Sequence, residues 1–338
     1  MISVSVLGAS GYSGVELLKI LYRHPDVKIG RLFANSSAGK TLAETAPVFA
    51  KISDAVLETY SVESIADSDL MFIALPSGEA LSLVPDMITA GKRVIDLGGD
   101  FRLQDTTLYE QYYKRIHTAK RELKKAVYGL PEWNKPQIQS ASLLANPGCY
   151  PTSAILPLAP LLKEGLIEQK GIVINSLSGV SGAGRSSSVE MSFVEVNESV
   201  RAYKVGTHQH IPEIRSVLGN ISGSPVSFSF VPHLMPITRG IYTSISAVLA
   251  QTINEQSVLA AYEKYYSEAP FVRYSASAIP EMKNAAFTNF IDIGFRINQE
   301  DHQLLVFSVI DNLLKGAAGQ AVQNMNLMFG FPETEGLL

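Results

Sequence analysis

Alternation opens the chain. Ile2, Val4 and Val6 are separated by serines, Gly8, Gly11 and Gly14 punctuate a run of small residues, and from Val15 the spacing changes so that Leu17, Leu18 and Leu21 share one helical face. A strand, a glycine turn and a helix are predicted, in that order. Short apolar runs recur at 27–34, 70–75 (stopped by Pro76), 92–97 and 142–145, with helical stretches between them. Strands alternating with helices predict a doubly wound parallel sheet, an α/β arrangement, for residues 1–147. Beyond it the runs lengthen, at 171–177, 226–231, 241–250, 290–298 and 303–310, with a helix near 257–267. Strands following strands predict an α+β domain with a mixed sheet over 148–311. The tail over 313–328 returns to helical spacing, and 312–338 is assigned to the first domain.

Composition narrows the class. A length of 338 residues suits about two domains at roughly 150 residues each. Lys+Arg 28 against Asp+Glu 32 leaves a formal charge of −4, and no block of like charges offers a footing for nucleic acid or a membrane surface. Lys120, Arg121, Lys124 and Lys125 read as the solvated face of a helix. One cysteine, Cys149, excludes a disulfide framework within the chain and a cysteine zinc cluster. The N-terminus lacks the pattern of a signal peptide, and no uncharged apolar run is long enough to span a bilayer. A soluble, cytoplasmic protein is expected.

The glycine turn is the first candidate for chemistry. Backbone N–H groups at a helix N-terminus that follows a strand can hold a pyrophosphate, although G-x-x-G-x-x-G departs from the commoner G-x-G-x-x-G spacing. After the second strand an NAD site usually carries a carboxylate for the ribose diol. Here the segment offers Asn35, Ser36, Ser37 and Lys40, which suits the 2′-phosphate of NADP better.

Cys149 lies in Asn146-Pro147-Gly148-Cys149-Tyr150-Pro151-Thr152. A helix starting at Pro151, short or kinked because of Pro157 and Pro160, would aim its dipole at the sulfur and favour the thiolate. These residues leave Cys149 open between a nucleophile and a small core residue. Among the histidines, His208 and His210 form an H-x-H pair that lacks a third metal ligand nearby, so activation of a thiol is the more economical use. His24, His117 and His302 read as surface residues and His233 as a hydrogen-bonded structural one. Arg185, closing a glycine-rich stretch, together with Arg102 and Arg239, suggests an anionic substrate.

GASGYSG, NPGCYPT, SGVSGAG with Arg185, HQHIPEI, PHLMPITRG and DNLLKGAAGQAVQNMN together resemble the N-acetyl-gamma-glutamyl-phosphate reductases over nearly the whole chain. The resemblance implies a Rossmann domain with a substrate and oligomerisation domain, as in the aspartate-semialdehyde and glyceraldehyde-3-phosphate dehydrogenase group. It implies NADPH-dependent reduction of an acyl phosphate in arginine biosynthesis, through a thioester on Cys149 with His208 as acid/base. Arg102, Asn146, Arg185 and Tyr203 are expected to bind substrate. NADP contacts are expected from Gly8, Ser10, Gly11, Tyr12, Ser13, Gly14, Asn35, Ser36, Ser37, Pro76, Ser77, Ser181, Gly182 and Asn312. No metal is expected, and a homodimer or homotetramer is. The family usually has arginine between the two histidines, where this chain has Gln209. Two alternatives stay open: an acyl phosphate reductase of the aspartate-semialdehyde type, and a non-redox cysteine acyltransferase.

Overall fold

The computed structural model of the chain describes residues 1–185 and 189–338. The chain divides into one unit of Met1–Gly148 with Ala317–Leu338 and a second of Cys149–Gly316.

The first unit is built on six strands: β1 (Ile2–Leu7), β2 (Val27–Phe33), β3 (Leu70–Ile73), β4 (Arg93–Asp96), β5 (Val127–Tyr128) and β6 (Leu143–Ala145). They lie in the order β2-β1-β3-β4-β6-β5 and every pairing is parallel. All four residues of β3 are buried, as a sheet covered on both faces requires. On one face, Val4 and Val6 pack with Leu17, Leu18 and Leu21 of the Tyr12–Leu21 helix and with Ala321, Val322 and Met325 of the Ala318–Phe329 helix. On the other, Met71 and Ile73 pack with Val84, Met87, Phe101 and Tyr109. The strand order reverses between β1 and β3, and the crevice beyond their carboxyl ends is where such sheets bind ligands. The two-residue β5 is too short to show a period in the sequence.

The second unit holds seven strands: β7 (Ile172–Gly179), β8 (Arg201–Ala202), β9 (Phe228–Met235), β10 (Ile241–Val248), β11 (Val272–Ser275), β12 (Ile291–Asn298) and β13 (Gln303–Ile310). The order is β11-β12-β13-β10-β7-β9-β8. Parallel pairs (β7 with β9, β11 with β12) and antiparallel ones (β10 with both neighbours) make the sheet mixed. Along β10, Ile241, Thr243, Ile245 and Ala247 are buried while Tyr242, Ser244 and Ser246 are half-exposed. The sheet therefore has one covered face and one open face.

The helix that begins this unit corrects the sequence reading. It runs Cys149–Lys163 without stopping at Pro157 or Pro160, and it starts at Cys149 rather than Pro151. A proline inside a helix removes the bond to the carbonyl four residues earlier. Here Ser308 Oγ donates to the Ser153 carbonyl at 2.6 Å and Tyr266 OH to the Leu156 carbonyl at 2.6 Å. The two carbonyls that Pro157 and Pro160 leave open are thus satisfied from β13 and from the Glu255–Tyr266 helix, so the helix continues.

Three more expectations change. A helix, His210–Ser222, begins at the second histidine of the H-x-H pair, where no element was predicted. His24 and His117 are buried, not surface residues: His24 Nε2 pairs with Asn326 Oδ1 at 2.9 Å, and His117 Nε2 with the Asp100 carbonyl at 2.8 Å. His233 is half-buried, its carbonyl accepting from Tyr150 OH at 3.3 Å while its Nδ1 has no hydrogen-bond partner among the described residues.

Candidate active site

Cys149 is the first residue of its helix and partly exposed. Ser153, one turn on, shares a hydrogen bond of 2.9 Å with Thr243 Oγ1, which shares another of 2.8 Å with Ser176 Oγ, all three side chains being buried. Small hydroxyls therefore fasten the thiol-bearing turn to β10 and β7. Gly316 closes in from the C-terminal side, where a Cβ would stand 2.8 Å from Cys149 Cβ, so no larger residue fits there.

A cavity of about 480 Å³ opens in this unit, lined by Cys149, Tyr150, Tyr203, Lys204, His208, Gln209 and His210 among others. The two tyrosines are linked, with Tyr203 OH donating to Tyr150 OH at 3.0 Å. Tyr150, Tyr203 and Phe230 surround the His208 ring, their centroids 5.5, 5.6 and 5.7 Å away. Burial in this aromatic wall, reinforced by the Lys204 charge, pushes the His208 imidazole down to about 3. Its Nδ1 accepts the His210 backbone N–H at 3.1 Å, so the neutral ring carries its proton on Nε2. His208 is thus a neutral ring that presents Nε2–H as a donor.

The expected substrate residues separate. Tyr203 lines the cavity, whereas Arg185 is exposed and does not. Among the described residues, the Lys and Arg side chains that line it are Arg201 and Lys204, which the sequence reading passed over because neither sits in a glycine-rich setting. Arg239 is an ion-pair residue, its Nε 3.1 Å from Asp311 Oδ2. Arg102 and Asn146 belong to the first unit and act as braces. Arg102 donates from Nε to the Asn146 carbonyl at 2.9 Å and from Nη2 to that of Leu97 at 2.8 Å. Asn146 is fully buried, donating to the Ala317 carbonyl at 3.1 Å and accepting from Asn324 Nδ2 at 3.1 Å. Both ends of its amide are thus engaged within the first unit.

The cofactor candidates fit a dinucleotide. Gly8 has φ 82°, and a Cβ on Gly14 would overlap the Gly8 carbonyl oxygen, so the turn can close only with glycines. Gly11 caps the Tyr12–Leu21 helix with no side-chain hydrogen bond. The first-turn N–H groups of Tyr12, Ser13 and Gly14 consequently have no intrahelical acceptor, and Ser10 flanks them. After β2, Asn35 and Ser36 are exposed and Ser37 half-buried. The structure adds Glu58, beside the end of β2, which Arg31 Nη1 engages at 2.8 and 2.9 Å.

Pro76 is exposed and Ser77 accepts the Gly99 N–H at 3.1 Å. The loop that holds them is pinned by Asp100, which accepts the Gly78 N–H at 2.6 Å and Tyr109 OH at 2.8 Å. Asp96 lies behind it, fully buried, and Oδ2 of its carboxylate has no hydrogen-bond partner among the described residues. Burial, then the Asp100 charge, raises Asp96 to about 7. Asn312, expected at the cofactor, organises the second unit: its Nδ2 donates to Ser181 Oγ at 3.0 Å and its Oδ1 accepts the Gly240 N–H at 2.7 Å. Ser181 is buried, and Gly182 lines the cavity.

Residues 3–141 match the NAD binding domain of semialdehyde dehydrogenases, and residues 149–312 match the dimerisation domain of the same group. An N-acetyl-gamma-glutamyl-phosphate reductase of Pelotomaculum thermopropionicum is 47% identical, covering 99% of this chain and 97% of its own. The enzyme of that name from Geobacillus stearothermophilus is 45% identical over 100% of this chain and 98% of its own. Among solved structures, aspartate semialdehyde dehydrogenase II of Vibrio cholerae superposes with a TM-score of 0.74 at 18% identity, covering 98% of both chains. The Candida albicans aspartate semialdehyde dehydrogenase solved with NADP gives 0.73 at 16% identity, covering 97% of this chain and 98% of its own. These distant likenesses show the fold.

Proposed function

The chain belongs to the N-acetyl-gamma-glutamyl-phosphate reductase family of semialdehyde dehydrogenases, and on that footing we propose that it reduces N-acetyl-gamma-glutamyl phosphate to the semialdehyde with release of phosphate. The observation that carries the reading is the joint lining of one cavity by Cys149, at the start of its helix, and His208, held as a donor.

The Cys149 thiolate attacks the acyl carbon, a C–S bond forms, and the C–O bond to phosphorus breaks. Phosphate departs with that electron pair and takes up a proton. Two displacements replace one difficult step. A nicotinamide cofactor, when bound, supplies the hydride that reduces the thioester. His208 Nε2–H donates to the carbonyl oxygen as negative charge gathers there, the role of an oxyanion-hole donor. The alkoxide then collapses to aldehyde and returns the thiolate to Cys149.

The cofactor is NADPH, held at its pyrophosphate by the Gly8–Gly14 turn and at its 2′-phosphate by the polar Asn35, Ser36 and Ser37 segment with Arg31 nearby. Pro76 and Ser77 border the same crevice at the end of β3. Met1–Gly148 with the C-terminal helix is the NADP-binding domain, and Cys149–Gly316 carries catalysis and self-association. The open face of the second sheet, with Leu177, Tyr242, Leu305 and Phe307 half-exposed, suits pairing with a second copy into a dimer or tetramer. A nucleophilic thiol suits a reducing compartment, the cytoplasm.

Stoichiometric NADPH oxidation with N-acetyl-gamma-glutamyl phosphate, and none with aspartyl phosphate, is the expected result. Turnover of the free-amine substrate instead would overturn the substrate assignment, and acyl transfer without NADPH oxidation would overturn the redox reading.

A further inference from the structure

Among the described residues, the cavity that holds Cys149 is lined by two cations, Arg201 and Lys204, and by one carboxylate, Glu190. Arg201 is engaged with the chain, its Nη2 donating to the Glu190 carbonyl at 2.8 Å. Lys204 differs. Its backbone lies at φ 46°, in the left-handed region that an L side chain enters only against steric resistance. The Thr207 N–H donates to the Lys204 carbonyl at 3.0 Å and Gly206 follows the same hand at φ 71°, so a tight turn fixes the strained residue at the cavity. Backbone strain held at a reactive site is a pointer to function.

The tip of the side chain is also held. Lys204 Nζ donates to Gln209 Oε1 at 3.4 Å. An amide oxygen orients an ammonium without cancelling its charge, as a carboxylate would, and without repelling it, as a guanidinium would. Between the two histidines this chain has a neutral acceptor, and the positive charge comes from five residues earlier. That charge is felt inside the cavity, since Lys204 adds to the burial that keeps His208 neutral.

We propose that Lys204, oriented by Gln209, binds the phosphoryl oxygens of the acyl phosphate and stabilises phosphate as it leaves Cys149's target carbon. This rests on the acyl phosphate reading given above. The phosphoryl group is attached to the carbonyl that His208 faces, whereas the α-carboxylate lies at the far end of the substrate's carbon chain. Lys204, which lines the same cavity as Cys149 and His208, is therefore matched to the phosphoryl end. Electrons of the breaking C–O bond pass to the departing phosphate, and a nearby ammonium lowers the energy of that charge.

The reaction run backwards separates the two anions, because inorganic phosphate and the semialdehyde carboxylate then enter as different molecules. Lys204→Met is expected to raise the KM for phosphate by at least about tenfold, the share of one charge-assisted hydrogen bond, with the KM for semialdehyde within about twofold of wild type. Gln209→Glu should raise the phosphate KM in the same direction, and Lys204→Arg should restore most of it. An unchanged phosphate KM in Lys204→Met overturns the proposal. So does a rise confined to the semialdehyde KM, which would move the ammonium to the carboxylate. Failure of the underlying reading would look different: the wild-type protein itself would oxidise no NADPH with the acyl phosphate.

Discussion

The backbone N–H of His210 donates to Nδ1 of His208 at 3.1 Å, and that single bond decides which nitrogen of His208 faces the chemistry. The residue two positions on thus sets the tautomer of the first, which is a physical use for the H-x-H spacing. With the ring buried among Tyr150, Tyr203 and Phe230 and its pKa pushed down to about 3, His208 is proposed to stabilise an oxyanion through Nε2–H rather than to cycle through an imidazolium near neutrality.

His208→Ala should therefore lower kcat by about 10²–10³, the usual loss on removing one oxyanion donor, by the same factor at every pH between about 5 and 8. His210→Ala should cost less. A wild-type acidic limb that disappears in His208→Ala would return His208 to proton transfer, and a larger loss at His210 would move the catalytic role to that ring.

Tyr266 OH satisfies the Leu156 carbonyl that Pro160 cannot bond. Tyr266→Phe is expected to destabilise the protein by about 1–3 kcal/mol, the cost of a buried polar group left unpaired, measured by denaturant unfolding. In a Pro160→Ala background the restored N–H can take over that carbonyl, so the same change should cost less there. Equal costs in both backgrounds would contradict this account of how the helix passes its prolines.

Asp96 gives a pH-dependent stability whose sign follows from its burial. Its carboxyl is raised to about 7 in the folded chain by burial and by Asp100, with Arg102 and the Gly98 N–H opposing. A raised pKa contributes stability that is complete below the ordinary carboxylate value and is lost as pH rises through about 7. The Tm of Asp96→Asn relative to wild type should accordingly climb between about pH 5 and pH 8. A difference that stays constant over that range would show that the buried carboxylate is not titrating there.

NADPH should be preferred over NADH, and Ser36→Asp should weaken NADPH by placing a carboxylate where the 2′-phosphate is proposed to bind. Equal binding of the two cofactors by the wild type would undo the argument from the missing acidic residue after β2 and leave Glu58 to serve the ribose.

Much of this was legible in the chain itself. The period of two over Ile2–Leu7, the glycine turn and the apolar face of Leu17, Leu18 and Leu21 describe the first strand–turn–helix, because each signal is local. Strands β7, β9, β10, β12 and β13 were legible by length and alternation, whereas the short β8 and β11 were not predicted. What stayed hidden depends on partners remote in sequence. Pro157 and Pro160 read as breakers because Ser308 and Tyr266, which replace their lost bonds, lie more than a hundred residues away. His24 and His117 read as exposed because Asn326 and the Asp100 carbonyl, which satisfy them inside, are not their neighbours in the chain's polar pattern. In the site, Cys149, His208 and Tyr203 meet at one cavity, while Asn146 and Asn312 are buried and hydrogen-bonded within their own units. An asparagine's burial cannot be read from its neighbours. Lys204 was missed because its signal is a backbone angle and a held side chain, neither of which leaves a motif.

The central claim is that Cys149 forms a thioester before any hydride is transferred. It is tested most directly by mixing the protein with N-acetyl-gamma-glutamyl phosphate without NADPH, while following phosphate release and the mass of the peptide that contains Cys149. The account predicts a burst of one phosphate per active chain, an N-acetylglutamyl adduct on Cys149 that NADPH discharges as semialdehyde, and neither event in Cys149→Ala. Phosphate released only after NADPH is added, or a burst that persists in Cys149→Ala, would contradict it.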